Sequence, residues 1–356
     1  MGKVQLAVLK DDLAQMEATV DAELPVLENG QVLLAVELFG LSANNISYAD
    51  VGEMLGYWAY FPAAEGYGCV PVWGFAQVVE SRHQDIQVGE RVFGYLPMAS
   101  HLVTTPTAIN ELCFSDNSAH RTGLHPWYNR YYRCAGDPLY ANERSAAQCV
   151  LWALFMTGWM MADELVNNVD SVVISSASSK TALSLAWSLK HSGAELQVIG
   201  LTSPGNQEFV SGLGIYDNIR TYTELESLAG VGKTAFVDIA GNAAVTSAVH
   251  VALGTSLEDS VTIGATHRAP PGEALPMPGP QPRFFFIPDV AEERAAADGF
   301  TTYHGHFAKA WSDFAGWTEG WLTFPEGVGP DAIQSGYQKA LSGRLTTDTA
   351  PVFSWS

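Results

Sequence analysis

The chain has 356 residues, of which 47% are hydrophobic, and 18 Lys and Arg against 38 Asp and Glu give it a formal charge of −20. This length exceeds the size at which a single core stops growing, which predicts two domains. The negative charge excludes nucleic acid and anionic membranes as general partners. We expect a small-molecule substrate and a homodimer.

The four cysteines, Cys69, Cys113, Cys134 and Cys149, form no CxxC pair and have no ligand spacing. Neither a zinc site nor a disulfide framework is therefore indicated, and reduced thiols are typical of the cytoplasm. The first residues, MGKVQLAVLK, lack the pattern of a signal peptide. We expect a cytoplasmic protein without a bound metal.

The first 110 residues contain β-rich runs separated by Gly and Pro. These runs are QVLLAVELFG (31–40), FAQVVES (75–81) and ERVFGYL (90–96). Alternating apolar residues between turn residues predict strands. We therefore expect a β-rich domain that extends to residue 145.

Residues 114–145 carry many aromatic and ionisable side chains with weak periodicity. We expect an insertion that lies on the surface or at a domain cleft and recognises an anionic or aromatic substrate through Trp127, Tyr128 and Arg130. The alternative is a subunit interface, because Tyr, Trp and Arg are enriched there too.

From residue 146 the sequence alternates between helical and strand patterns up to 285. Such alternation predicts a parallel sheet with helices on both faces, which is a doubly wound α/β domain. The apolar run at 150–162 is shorter than a bilayer span and predicts a buried helix.

The C-terminal region begins after a stretch with six prolines at 268–283, which excludes a regular element there. FFFIP (284–288) is strand-like, and 286–356 is expected to return to the β-rich domain. The spacing of His304 and His306 suits a metal or a polar edge strand; without a third ligand we expect the strand.

The stretch VVISSASSKT (172–181) predicts a strand, a turn of small residues and a helix from Lys180. N–H groups at a helix N-terminus bind anions. Serine can replace the glycines of the dinucleotide-binding turn because it is small, caps helices and adds a hydroxyl. The alternative is a run of turn and capping serines with no ligand. The predicted phosphate contacts are Ser175, Ser176, Ser178, Ser179, Lys180 and Thr181.

The next strand ends at Thr202 and Ser203, where NAD-specific enzymes place an acidic residue on the ribose. Hydroxyl groups without a carboxylate allow a 2′-phosphate, and Arg220 or Lys180 could add positive charge. This pattern favours NADP over NAD.

The order of these parts resembles the medium-chain dehydrogenase/reductase superfamily, in its zinc-independent, quinone-oxidoreductase-like branch. It is similar, more closely, to a divergent bacterial family of unknown function within that superfamily. The resemblance implies a GroES-like β-rich domain (1–145 with 286–356) and a Rossmann domain (146–285). The matching stretches include GQVLLAVELFGLSANN (30–45), VGERVFGYLPMASHLVTTP (88–106), ALFMTGWMMADEL (153–165) and VIGLTSPGNQEFVSGLG (198–214).

The resemblance also implies chemistry. AAEGYG (63–68) keeps Glu65 but lacks the adjacent His of the zinc-binding members. Because a catalytic zinc is not expected, we expect reduction of an activated C=C or C=O by NADP(H). Tyr57 or Tyr48 is the expected proton donor. Packing is the alternative for the tyrosines, and a bond to its own helix is the alternative for Thr157. Trp58 is expected beside the substrate. The implied cofactor contacts are Asn45, Thr157, Gly241, Gly264 and His267.

Two other functions stay open. One is a non-redox lyase or aldolase on the same scaffold, with His125 or a tyrosine as base. The other is a non-catalytic nucleotide-binding subunit, because a fold does not imply a function.

Overall fold

A computed structural model describes residues 2–228, 232–263 and 277–356. The strands are β1 (Val4–Leu9), β2 (Asp12–Val20), β3 (Val32–Gly40), β4 (Tyr67–Gly68), β5 (Pro71–Ser81), β6 (Arg91–Pro97), β7 (His101–Thr104), β8 (Pro106–Thr107), β9 (Cys113–Asp116), β10 (Arg130–Arg133), β11 (Ser171–Ile174), β12 (Gln197–Thr202), β13 (Asn218–Thr221), β14 (Thr234–Asp238), β15 (Leu257–Thr262), β16 (Arg283–Phe284), β17 (Glu326–Val328) and β18 (Val352–Ser354). The α-helices are α1 (Ala43–Asp50), α2 (Ser145–Leu165), α3 (Lys180–His191), α4 (Gln207–Gly212), α5 (Ala243–Leu253), α6 (Ile287–Asp298), α7 (Phe300–Thr318) and α8 (Pro330–Leu341).

The chain divides into two compact units. The first unit comprises Met1–Trp152 and Ala295–Ser356, and the second comprises Ala153–Arg294. Within the described residues the first unit holds a three-stranded sheet, β2-β1-β4, and a nine-stranded sheet in which β3, β5 and β6 lie side by side. The predicted strands at 31–40, 75–81 and 90–96 are confirmed as β3, β5 and β6.

The segment that we predicted as an insertion is part of the large sheet. Strand β10 pairs with β6 on one side and with β9 on the other. Tyr131 and Tyr132 are both buried, so the strand is covered on both faces. The expectation of a surface or cleft insertion was wrong for β10, whose tyrosines pack in the core, whereas His120, Thr122 and Gly123 of the same segment are exposed.

The second unit is built on a parallel sheet with the order β13-β12-β11-β14-β15-β16 in the part of the chain that the structure describes. All of its neighbouring strands pair in parallel, which confirms the predicted doubly wound domain. This is the strand order of a dinucleotide-binding fold, which binds ligands beyond the carboxyl ends of its strands. We call the side where β11, β12 and β14 end the carboxyl edge.

Helix α2 is the predicted buried helix. Among the described residues, one helical stretch, Asn142–Leu165, is long and apolar enough to cross a membrane, and 89% of its most apolar window is buried. Gly158 allows α2 to lie directly on α3, since a Cβ there would come within 2.5 Å of the Leu185 nitrogen. The apolar surface of α2 is thus used in packing.

Two predictions for the C-terminal region were wrong. Of the strand-like run at 284–288, only Phe284 lies in a strand, β16, and α6 begins at Ile287. His304 and His306 lie in helix α7 and not in an edge strand. The helical spacing of buried aromatic residues explains the helix, because side chains three or four residues apart share a face. These residues are Tyr303, Phe307, Trp311 and Phe314.

Candidate functional site

The turn after β11 has the backbone shape that a glycine usually supplies. Ser176 has φ of +52°, and only Ala108 shares a positive φ among the described non-glycine residues. Side chains disfavour this left-handed region, and residues held there cluster at functional sites. The turn therefore bends as a dinucleotide-binding turn does, with serine in place of glycine.

Ser175 is a structural residue. Its hydroxyl donates to Asp238 Oδ1 at 2.7 Å and accepts the backbone N–H groups of Ile239 and Ala240 at 2.8 and 2.9 Å. Because the side chain is fully buried, the hydroxyl ties the ends of β11 and β14 together. The prediction of a phosphate contact was wrong for this serine.

Gly241 belongs to the same network. It has φ of +63°, and its N–H donates to Asp238 Oδ1 at 3.1 Å. The other carboxylate oxygen of Asp238 accepts the Thr246 hydroxyl at 2.8 Å. Asp238 thus organises the loop after β14 at the carboxyl edge.

Ser179 caps helix α3, since its hydroxyl accepts the Ala182 N–H at 3.3 Å. Lys180 and Thr181 form the first turn of the helix and are half-buried. The first N–H groups of a helix have no acceptor within it, and the helix dipole adds a partial positive charge. This end of α3 can hold an anion.

Tyr222 meets the turn, a contact that our sequence analysis missed. The Ser176 N–H donates to the Tyr222 hydroxyl at 2.8 Å. Burial raises the pKa of Tyr222, so the phenol keeps its own proton and can donate it. A tyrosine directly after a strand of the parallel sheet was the available signal.

The loop after β12 lies beside the turn after β11. Ser178 Oγ accepts the Asn206 side-chain amide at 3.0 Å, which joins this loop to the turn. Thr202 is 1% exposed, and its hydroxyl has no hydrogen-bond partner among the described residues. Ser203 beside it is half-buried. The predicted residues Ser176, Ser178, Thr202 and Ser203 are thus brought to one edge.

Thr157 follows the alternative interpretation. Its hydroxyl donates to the Ala153 carbonyl at 2.8 Å, one helical turn earlier. The helix backbone thus accepts the proton of this hydroxyl, and a cofactor contact of Thr157 stays a prediction. Gly264 and His267, also predicted at the cofactor, lie outside the described residues.

The first unit gathers five tyrosine rings, which we call the tyrosine cluster: Tyr48, Tyr57, Tyr60, Tyr95 and Tyr128. Tyr57 and Tyr128 face each other with their hydroxyl oxygens 2.9 Å apart. The Tyr48 ring lies 4.8 Å from the Tyr57 ring, and the Tyr48 oxygen accepts the Trp73 indole N–H at 3.1 Å. Burial raises the pKa of Tyr48, Tyr57 and Tyr128. All three are therefore neutral hydrogen-bond donors at ordinary pH.

Asn45 and Trp58 lie near the cluster in packing roles. The Asn45 amide donates to the Pro71 carbonyl at 2.9 Å, and its oxygen accepts the Ser42 N–H at 2.8 Å. Both ends have partners within the first unit, and the cofactor contact of Asn45 stays a prediction. The Trp58 indole fits against Gly52 and Gly68, where a Cβ would approach it to 2.3 and 2.4 Å.

The other predicted substrate residues are mostly enclosed. Trp127 packs against Trp73 and Trp152, with ring centroids 5.2 and 5.4 Å away. His125 accepts the Trp127 N–H on Nδ1 at 3.2 Å and caps a short 3₁₀ helix. Arg130 is half-buried, with its guanidinium 4.4 Å from the Phe300 ring centre.

A buried ion pair supports the tyrosine cluster. Arg121 Nε lies 3.0 Å from Asp116 Oδ2, and their side chains are 1% and 0% exposed. Arg121 also donates to the Tyr131 hydroxyl at 3.2 Å. Sequence reasoning placed Arg121 in an exposed basic segment, because nothing local marks Asp116 as its partner.

The structure offers few metal ligands. His304 pairs through Nε2 with Asp137 at 2.8 Å, deep in the first unit. No group of three His, Cys, Asp or Glu side chains comes together in the described ranges. The four cysteines are buried and free.

Solved structures with similar folds include the following three. CurA from Vibrio vulnificus has a TM-score of 0.65 at 15% identity, with 99% of both chains covered, and it is also known in complex with NADPH. A putative NADPH:quinone reductase from Mesorhizobium loti has a TM-score of 0.65 at 12% identity, covering 100% of this chain and 99% of that one. Etr1p, in a complex with NADP and crotonyl-CoA, has a TM-score of 0.62 at 11% identity with both chains fully covered.

These likenesses show the fold, a GroES-like β-rich unit and a Rossmann unit, as the resemblance implied. The model of one family, described as "Protein of unknown function (DUF2855)", matches residues 39–346. A search of curated proteins found no match.

Proposed function

We propose that this chain, which belongs to the DUF2855 family, is an NADP(H)-dependent reductase that acts without a metal ion on an activated C=C or C=O bond of a small molecule. The observation that carries the proposal is the turn after β11, with the glycine-like φ of +52° at Ser176 directly before helix α3. The similar CurA and Etr1p structures hold NADPH and NADP, which supports the same cofactor here.

The residues of the carboxyl edge fit a dinucleotide. When bound, NADPH supplies a hydride. The end of α3 at Lys180 and Thr181, together with the Ser178 hydroxyl, would hold its phosphates. The hydroxyl of Thr202, which has no partner in the part of the chain that the structure describes, and the half-buried Ser203 would meet the adenosine ribose. Neither carries a charge that would repel a 2′-phosphate, so we propose a preference for NADPH.

Tyr57 is our proposed proton donor, with Tyr48 as the second candidate. A carbonyl that receives a hydride at a conjugated carbon develops negative charge on its oxygen, and a positioned donor stabilises that charge. Because burial raises the pKa of Tyr57, its proton stays in place until the substrate oxygen becomes basic enough to take it. General acid catalysis of this kind contributes about 10²–10⁴-fold.

Arg130 is the residue that we propose for the substrate's anionic group. It is half-buried, whereas Trp58, Trp127 and Tyr128 are buried in the first unit. A guanidinium matches the geometry of a carboxylate or phosphate.

We also propose that the protein is a cytoplasmic homodimer. Size-exclusion chromatography with light scattering would test the oligomeric state.

The first experiment is titration of the purified protein with NADPH and, separately, NADH, followed by nicotinamide fluorescence and melting temperature. We expect tight binding of NADPH and weak binding of NADH. Ser178→Asp is the matched variant, since a carboxylate beside the turn repels phosphate, and it should abolish binding. Equal binding by this variant would remove the phosphate site.

The second experiment is oxidation of NADPH with a panel of enones, quinones and aldehydes, before and after treatment with a chelator. We expect turnover that the chelator leaves unchanged. Binding of NADPH without any turnover would favour a nucleotide-binding subunit. Failure to bind either cofactor would favour the non-redox alternative, because the turn would then have lost its ligand.

A further inference from the structure

The hydroxyl groups of the tyrosine cluster do not all have partners of the same kind. Tyr60 donates to the His125 carbonyl at 3.0 Å, and Tyr131 next to the cluster donates to the Tyr95 carbonyl at 2.8 Å. Tyr57 and Tyr128 instead bond to each other at 2.9 Å, and neither hydroxyl has another partner among the described residues. This pair therefore differs from Tyr60, which has a backbone acceptor, and from Tyr95, whose buried hydroxyl has no partner among the described residues.

Two phenols that hydrogen-bond only to each other have two hydroxyl protons but use only one of them in the bond. Each hydroxyl carries a single proton, so one of them donates to the other oxygen and the second proton has no acceptor within the pair. A buried donor without an acceptor destabilises the protein. The pair thus contains one donor without an acceptor among the described residues, and a substrate oxygen could supply that acceptor.

The surroundings decide which proton is left over. The ring of Tyr128 is enclosed by other rings, with Tyr95 at 4.6 Å, Trp127 at 4.9 Å and Tyr60 at 5.3 Å. Tyr128 is 2% exposed, against 4% for Tyr57. A spare proton on Tyr128 would be enclosed by the surrounding rings, whereas the Tyr57 hydroxyl lies at the less enclosed end of the pair.

We propose that Tyr128 is a positioning residue whose hydroxyl donates to the Tyr57 oxygen, directs the Tyr57 proton to the substrate and stabilises the phenolate that remains after transfer. This inference rests on the proposed role of Tyr57 as proton donor. The step moves one proton: the O–H bond of Tyr57 breaks, an O–H bond forms on the substrate's carbonyl oxygen, and the phenolate then takes a proton from water.

The test uses the full chain with a difluorinated tyrosine incorporated at position 57, because fluorine makes the phenol acidic enough to titrate while the protein stays folded. Fluorine NMR follows the titration midpoint. We expect Tyr128→Phe to move the midpoint upward by about one to two pH units, since a hydrogen bond to a charged group is worth about ten- to a hundred-fold. Tyr60→Phe is the matched control, because it removes a neighbouring hydroxyl that does not bond to Tyr57, and it should leave the midpoint within a few tenths of a unit.

Turnover supplies the second readout, on chains with the natural tyrosine at position 57. Tyr128→Phe should lower kcat by about ten-fold or more with KM little changed, because the phenolate is stabilised only during proton transfer. An unchanged midpoint in Tyr128→Phe would overturn the positioning role whatever the turnover. A raised midpoint with normal kcat would overturn the link to the reaction. A wild-type protein that oxidises no NADPH would overturn the proposed function, and the positioning role that depends on it, while the titration still decides the direction of the bond.

Discussion

Replacing Ser175 by alanine separates a structural serine from a binding serine in the same turn. The hydroxyl makes three hydrogen bonds, to the Asp238 carboxylate and from the N–H groups of Ile239 and Ala240. Alanine fits the same space, because it only lacks the oxygen. The change therefore removes the tie between β11 and β14 without disturbing the backbone of the turn.

The expected loss of stability follows from these contacts. A hydrogen bond to a charged group is worth about 1.5–3 kcal/mol and a neutral one about 0.5–1.5 kcal/mol. The three bonds share one hydroxyl, so their values do not add fully, and we expect a loss of about 2–4 kcal/mol. For a unit of this size the melting temperature should fall by on the order of 10 °C.

The assay is thermal unfolding followed by circular dichroism, together with NADPH titration well below the melting temperature. Ser178→Ala is the matched control, because Ser178 is half-buried and accepts a single bond from Asn206. We expect Ser178→Ala to change stability by about 0.5 kcal/mol or less and to weaken NADPH binding. Ser175→Ala should instead lower stability and leave NADPH binding unchanged. A Ser175→Ala protein with normal stability and lost NADPH affinity would refute this reasoning.

Three further outcomes are expected. Ser203→Glu should shift preference from NADPH toward NADH, because a carboxylate repels a 2′-phosphate and accepts ribose hydroxyls; titration would show it, and equal weakening of both cofactors would contradict it. Tyr57→Phe should lower turnover by about 10²–10⁴-fold with the fold intact, and a loss below about ten-fold would move the role elsewhere. Burial raises the pKa of Tyr95, Tyr128 and Tyr216 above their ordinary 10.0. The three protonated phenols contribute fully to the free energy of unfolding below that value, and this contribution is lost as pH rises above it. Stability to urea should therefore fall from about pH 10 upward. A constant stability there would show that these phenols are accessible in the native state.

Local patterns were sufficient for most of the fold. The run VVI in β11 is completely buried, as expected for a central parallel strand covered on both faces. The alternation of such runs with amphipathic helices predicted the doubly wound sheet. The strand prediction failed at His304 and His306. It followed the spacing of these two histidines, whereas the spacing of Tyr303, Phe307 and Trp311 is helical.

The candidate site was predictable only in part. The sequence by itself determined that small hydroxyl residues follow β11 and β12, because strand ends and helix starts have local signals. It did not distinguish Ser175, which is fully buried, from Ser178, which is half-buried.

Only the tertiary structure decided which groups meet. Tyr57 and Tyr128 are 71 positions apart, Ser176 and Tyr222 are 46 apart, and Ser175 and Asp238 are 63 apart. Periodicity along the chain reports which side of an element faces the core, because it depends on the geometry of that element alone. A hydrogen bond between distant residues depends on how several elements pack, and a single buried hydroxyl carries no local mark of its partner.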